Sequence, residues 1–223
     1  MPHPSLRIAP SILSADFAHL AEELKAIADG GADLVHVDVM DGRFVPNITI
    51  GPVVVAAVRA STTLPIDAHL MIVEPDRYVE AFAQAGADLI SVHLEAATDL
   101  AATLGKIRAL GKRAAVAVNP ESPLDAVLPL LPALDMVLVM SVHPGFSGQR
   151  FIEAAVPKIR TLRAEIDRRG LDVAIEVDGG IAPATAPVVV EAGAEILVAG
   201  NAVFKAPGRD YAGAIAALRA AGR

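Results

Sequence analysis

The chain has 223 residues, of which 53% are hydrophobic, 20% charged and 4% aromatic, with a net charge of −7, no cysteine and no tryptophan. Such a balance belongs to a well-buried globular protein and not to a disordered one, and acidity without a basic cluster excludes nucleic acid as a partner. The lack of cysteine removes disulfide and thiolate chemistry and fits an intracellular setting. The opening "MPHPSLRIAP" has no charged-then-apolar signal pattern, and no run reaches the roughly 18 apolar residues of a membrane span. A cytoplasmic protein with no membrane partner is expected.

In chain order, short β-branched runs alternate with Ala/Leu/Glu/Arg-rich amphipathic ones. A strand over Arg7–Leu13 precedes a helix over Phe17–Asp29; strand Leu34–Met40 precedes helix Pro52–Ala60; strand Ile66–Met71 precedes helix Pro75–Ala85. The pattern continues with Leu89–His93 and Asp99–Leu110, Arg113–Val118 and Leu124–Leu131, then Met136–Val142 and Ala154–Arg169. It ends with Asp172–Asp178 and Ala184–Ala192, then Glu195–Ala199 and Asp210–Ala220.

Eight such units average about 28 residues each, compact but sufficient for a closed (β/α)8 TIM barrel. An internal echo supports repeated units: "GGADLVHVD" (30–38), "AGADLISVHLE" (85–95) and "EAGAEILVAG" (191–200) share a helix-ending glycine, an acid and a strand. The glycine supplies the helix exit and the acid begins the following loop. No Ser/Gly/Pro-rich linker divides the chain, so residues 1–223 are expected to form one domain. An open doubly wound sheet would carry G-x-G-x-x-G after its first strand, whereas "APSILSADF" contains no glycine.

Functional groups of a barrel gather where its strands end, and alternate residues of each strand point inward. His36 and Asp38 share parity near the end of the second strand, in a run that otherwise reads as buried. Burying even a polar group without a partner costs about 2–7 kcal/mol, so something must compensate for the pair. His69 lies near the end of the third strand and Asp178 ends the seventh. A lone strand-end histidine is ordinarily a hydrogen-bonded structural residue, and a lone Asp before Gly-Gly a turn former. Four such residues at matching depth, in a chain with 6 histidines, point instead to one divalent cation of the zinc, iron, manganese or cobalt type. His93, Glu95 and Glu176 read as packing or as outer support for that set.

Two further loops suggest an anion site. "DGGI" (178–181) follows the seventh strand and "AGNAVF" (199–204) the eighth, where barrels commonly hold phosphate. Glycine lets backbone N–H groups approach an anion, so an acidic protein can bind a phosphorylated substrate without lysine. "HPGFSGQ" (143–149) reads either as a flap that closes over a ligand or as a plain surface loop. Met40, Met71 and Met140 stand at strand ends, as core filling or as a dry cap over a reacting carbon.

Taken in series, "PSILSADF", "HVDVMDGRFVPN", "HLMI", "HPGFSGQ", "EVDGGI" and "AGNAVF" resemble the ribulose-phosphate 3-epimerase family, end to end and in family order. The resemblance implies a (β/α)8 barrel that interconverts ribulose 5-phosphate and xylulose 5-phosphate, with one divalent metal ion held by His36, Asp38, His69 and Asp178. It also implies that Asp38 and Asp178 are the acid/base pair, that Ser11 and His69 contact the sugar, and that Gly145, Phe146, Ser147 and Gly148 form flap contacts. Phosphate would rest on Gly179, Gly180, Gly200 and Asn201, and the family forms homo-oligomers. The chain departs from the family's usual pattern at His143, Ser147 and Asn201.

Other chemistries of this barrel fit less well. A Schiff-base aldolase needs a strand-end lysine, but Lys25, Lys106, Lys112, Lys158 and Lys205 fall on predicted helices, loops or a strand start. The D-x-K-x-x-D pattern of the orotidine phosphate decarboxylase and hexulose phosphate synthase group is absent where Asp38-Val39-Met40-Asp41 stands. An epimerase for a six-carbon ketose phosphate such as allulose 6-phosphate shares the same chemistry. A non-catalytic sugar-phosphate sensor would have no use for a second acid/base.

Overall fold

The computed structural model describes residues 6–222; the outermost parts of the predicted domain, residues 1–5 and 223, lie outside the described residues. Eight strands, β1 (Arg7–Ala9), β2 (Val35–Met40), β3 (Ile66–Met71), β4 (Leu89–His93), β5 (Arg113–Val118), β6 (Met136–Met140), β7 (Ala174–Asp178) and β8 (Ile196–Val198), run parallel in the order β1-β8-β7-β6-β5-β4-β3-β2. The two end strands meet through a bridge between Ser11 and His36, where His36 N donates to Pro10 O at 3.1 Å, and lower down Asp33 N donates to Ile8 O at 2.9 Å. These contacts draw the sheet into the expected (β/α)8 barrel.

Helices α1 (Leu20–Asp29), α2 (Pro52–Ser61), α3 (Val79–Ala85), α4 (Leu100–Ala109), α5 (Ala155–Arg169), α6 (Ala186–Glu191), α7 (Asn201–Phe204) and α8 (Tyr211–Ala221) pack outside it. Three expectations need correction. The first strand stops at Ala9, because Ser11 caps a 3-10 turn over Ile12–Ser14 by accepting from Leu13 N. Residues 124–131 form no α-helix: a 3-10 segment runs over Leu128–Ala133, since Pro129 and Pro132 each lack the N–H that a helix interior requires. The short helix α7 after β8 falls outside the predicted set.

Strand alternation divides the core in two. Outward side chains such as Val37, Leu70, Val92, Val116, Val139 and Val177 join the helices in one large apolar layer. Inward ones from β1, β4, β5, β6 and β8, including Ala9, Leu89, Ala115, Leu138 and Ile196, form a separate inner cluster. No helix among the described residues is long and apolar enough to cross a membrane.

The repeated acids do their work at the bottom of the barrel, ahead of the even-numbered strands. Asp33 accepts from Ile8 N at 2.7 Å, Asp88 from Ile66 N at 2.9 Å and Asp135 from Ala114 N at 2.8 Å. In each case the acid's own N–H returns a bond to the same residue's carbonyl. Before β8, Glu195 N bonds Ile175 O at 2.8 Å, while the Glu195 side chain takes Arg163. Each of the three aspartates thereby satisfies an N–H at the foot of the preceding strand. Replacing Asp135 by Ala orphans Ala114 N–H and is expected to lower unfolding free energy by about 1–3 kcal/mol, read by urea titration, with kcat unchanged.

Candidate active site

The β2–β3 register places His36 beside Asp67 and Asp38 beside His69, while Asp178 sits at the tip of β7 opposite Met140. All these acids and imidazoles point into the barrel. His36 Nε2 lies 3.3 Å from Asp38 Oδ1 and 4.0 Å from Asp178 Oδ2; His69 Nδ1 lies 3.1 Å from Asp38 Oδ1 and 3.9 Å from Asp178 Oδ2. One ligand-type atom from each of the four residues falls within 4.8 Å of every other. Two imidazole nitrogens and two carboxylate oxygens at that spacing suit a transition-type divalent cation. The four predicted ligands therefore do converge, from three different strands.

Electrostatics among the protein groups is strongly uneven. Burial works against charge on His36, but Asp38 and Asp67 outweigh it and hold the imidazole well above its usual range. Burial likewise opposes ionisation of Asp38, yet His36 and His69 keep its carboxyl far below the ordinary carboxylate value. Asp178 goes the other way: burial, then the Asp38 charge, pushes it up to about 7. The two carboxyl groups are thus pushed in opposite directions, the pattern expected of an acid and a base. Burial pulls His69 below its usual value and His93 down to about 4.

Supporting groups surround the four. Asp67 escaped the sequence reading: its Oδ2 accepts from His36 Nδ1 at 2.6 Å, which turns His36 Nε2 toward the cluster. Its signal was the parity with His69 in "IDAHLMI", the same spacing that links His36 to Asp38. Glu176 lies beside Asp67 with both oxygens unpartnered, and burial followed by the Asp67 charge keeps it well above the usual carboxylate range. Ser11 Oγ donates to Asp38 Oδ2 at 2.5 Å.

Above the cluster opens a cavity of about 410 Å³. Ser11, Asp38 and Asp178 line it from below, and Met40, Met71 and Met140 form an apolar wall. Gly145, Phe146, Ser147 and Gly148 line it from the loop after β6, and Gly179, Gly180, Gly200 and Asn201 from the loops after β7 and β8, with Gly148 close against the Asn201 amide. His36 and His69 are fully buried and do not line the cavity. His143 is largely exposed and faces Glu121 at 3.5 Å, away from the cavity. Ser14 was missed: its hydroxyl donates to Asn201 Oδ1 at 2.9 Å and fixes that amide at the rim. Asn47 was missed too, and its Nδ2 donates to Gly145 O at 2.9 Å, tying the β2 loop to the flap.

A family model described as Ribulose-phosphate 3 epimerase family matches residues 7–204. The chain belongs to the ribulose-phosphate 3-epimerase family. A ribulose-phosphate 3-epimerase of Synechocystis sp. is 59% identical over 95% of this chain and 92% of its own length. One from Bacillus subtilis is 54% identical over 89% and 92% respectively, and a chloroplastic ribulose-5-phosphate-3-epimerase of Arabidopsis thaliana is 54% identical over 97% and 77%. The chain is accordingly an epimerase of this family, an isomerase by class. Among solved structures, a ligand complex of KGPDC from Streptococcus mutans superposes with a TM-score of 0.74 at 14% identity, covering 98% of this chain and 97% of that one. A 3-hexulose-6-phosphate synthase from Salmonella typhimurium gives 0.70 at 19%, covering 97% and 98%. At such identities the likeness is one of fold.

The epimerase's rim depends on two adjacent glycines after Asp178. Gly179 has φ of +120°, and a Cβ there would lie 2.5 Å from a Val142 methyl and 2.8 Å from Val142 N; at Gly180, with φ of +63°, it would meet Phe151 N at 2.5 Å. Gly179→Ala is therefore expected to cost about 1–3 kcal/mol of stability and to lower kcat by displacing Asp178, measured by urea titration and steady-state assay.

Proposed function

We propose that this epimerase inverts C3 of D-ribulose 5-phosphate to give D-xylulose 5-phosphate, with one divalent cation and Asp38 and Asp178 as the two proton-transfer groups. The observation that carries the reading is the meeting of two carboxylates of opposite protonation preference with two imidazoles at the foot of one cavity. Family membership supplies the substrate class.

Inverting a carbon beside a carbonyl requires a proton to leave one face and another to arrive on the opposite face. A single base would have to cross the sugar's plane, whereas two carboxyl groups divide the task. Ionised Asp38 removes the C3 proton, the electron pair moves onto the C2 carbonyl oxygen, and the carbanion becomes a planar enediolate. Protonated Asp178 then returns a proton to C3 from the other side, and the two acids exchange roles for the reverse reaction. Ser11, donating to Asp38 Oδ2, holds the base in orientation. A cation held by His36, Asp38, His69 and Asp178 supplies Lewis-acid stabilisation of negative charge on the substrate oxygens. Met40, Met71 and Met140 keep water from the reacting carbon. The glycine-rich rim at 179–180 and 200–201 offers backbone N–H groups to the phosphate without a lysine.

Asp178→Asn keeps the side chain's size and removes its proton chemistry; kcat is expected to fall by at least ~100-fold with an unchanged circular dichroism spectrum. Wild-type enzyme should incorporate solvent deuterium at C3 of ribulose 5-phosphate; a binding-only barrel incorporates none, and faster turnover of a hexulose phosphate would reassign the substrate. Chelation with verified cation removal should abolish activity, and a divalent cation should restore it. Asn201→Asp preserves the acceptor for Ser14 but adds a charge at the rim, so KM should rise roughly tenfold, equivalent to about 1.4 kcal/mol of binding, with kcat little changed.

A further inference from the structure

The two ring nitrogens of His69 face different neighbours. Nδ1 points into the cation cluster, and Nε2 meets Nε2 of His93 at 2.8 Å, with the rings stacked at 5.0 Å between centroids. Two nitrogens that close must share one hydrogen. The other nitrogen of His93, Nδ1, lies 3.1 Å from Glu95 Oε2. An ionised carboxylate only accepts, so His93 carries its hydrogen on Nδ1 and, as a neutral ring, presents a lone pair at Nε2. The shared hydrogen then belongs to Nε2 of His69, which leaves Nδ1 of His69 as a bare acceptor facing Asp38 Oδ1 at 3.1 Å. Two acceptors in that relation repel unless a positive group joins them. His36 is prepared in the same way, because its Nδ1 is engaged by Asp67.

Glu95 is itself held in place from the far side. Asn119 N donates to Glu95 Oε1 at 3.0 Å and Ser122 Oγ donates to the same oxygen. Lys158, on α5, fixes that loop by donating to Asn119 O at 2.6 Å, Pro120 O at 3.1 Å and Ser122 O at 2.6 Å. Phe44 packs on the His93 ring at 4.7 Å between centroids, and His93 is fully buried.

We propose that His93, Glu95 and Lys158 are positioning residues, a chain of hydrogen bonds that selects the His69 tautomer with Nδ1 free and so prepares the cation site. The assignment rests on the cation reading above. None of the three lines the cavity; they act through His69. Outer partners of ligating histidines set ring orientation and tautomer in metal sites generally, and their loss costs about 10–100-fold in metal affinity.

The test is zinc affinity of the purified full chain, measured by competition with a chromophoric chelator. His93→Phe preserves a flat ring but offers no acceptor, and should weaken zinc binding by roughly 10–100-fold. His93→Gln, whose amide oxygen can accept from His69 Nε2, should recover most of that loss. Should the phenylalanine variant fail to fold, the half-buried acid gives a second route: Glu95→Ala should weaken zinc roughly tenfold, and Glu95→Gln, which keeps an acceptor, much less. Long-range proton–nitrogen spectra of the zinc-loaded protein should show hydrogen on Nε2 of His69 and on Nδ1 of His93. A packing role alone would lower thermal stability in these variants and leave zinc affinity per folded molecule untouched. Unchanged affinity in folded His93→Phe or Glu95→Ala, or a zinc-loaded His69 protonated at Nδ1, overturns the chain of hydrogen bonds. Failure of wild-type protein to bind zinc or any other divalent cation overturns the cation reading instead.

Discussion

The structure turns on a crowding of lone pairs. His36 Nε2, Asp38 Oδ1, His69 Nδ1 and Asp178 Oδ2 share a space in which no two lie more than 4.8 Å apart, at the floor of the barrel's cavity. Among the protein groups alone, Asp38 and Asp67 outweigh burial and hold the His36 imidazole well above its usual range, while burial and then the Asp38 charge push Asp178 up to about 7. A divalent cation would relieve the crowding more completely, because all four atoms could then act as donors of electron pairs at once. The sheet supplies the convergence: β2 and β3 are in register at Asp38 and His69, and β7 brings Asp178 from the other wall.

That arrangement requires an unequal barrel interior. On β2, β3 and β7 the inward positions carry His36, Asp38, Asp67, His69, Glu176 and Asp178, while the inner apolar cluster is drawn mainly from the remaining strands. The polar wall survives burial because most of its members are bonded to each other: Asp67 to His36, His69 to His93, and Ser11 to Asp38. Glu176 has neither oxygen hydrogen-bonded, and burial followed by the Asp67 charge holds it well above the usual carboxylate range. The methionines close the wall over with polarisable, apolar surface.

Much of this was legible in the residues. Periodicity located the eight strands to within a few positions, because fully buried parallel strands read as short β-branched runs bounded by turn residues. His36, Asp38, His69 and Asp178 stood out because ionisable groups in such runs require a reason. The helix predicted over Leu124–Leu131 does not form, because Pro129 within the apolar run and Pro132 just beyond it cannot donate to a helix ladder. His93 and Glu95 could be read only as packing or outer support, and Lys158 carried no signal for the site at all. His93 meets His69 directly and Glu95 reaches it through His93, while Lys158 is joined only through the loop at Asn119–Ser122, and contacts between a helix and the loops of other strands leave no periodic trace. Ser14 and Asn47 likewise matter through single hydrogen bonds to distant residues.

The aspartates at the foot of β2, β4 and β6 repeat every two strands, and each closes a side-chain clasp onto the strand before it, while before β8 only the backbone of Glu195 reaches Ile175. All the chemistry sits at the opposite rim. Mutations that remodel the flap or the anion loops therefore leave every clasp intact, and lineages can explore new sugars without endangering the scaffold.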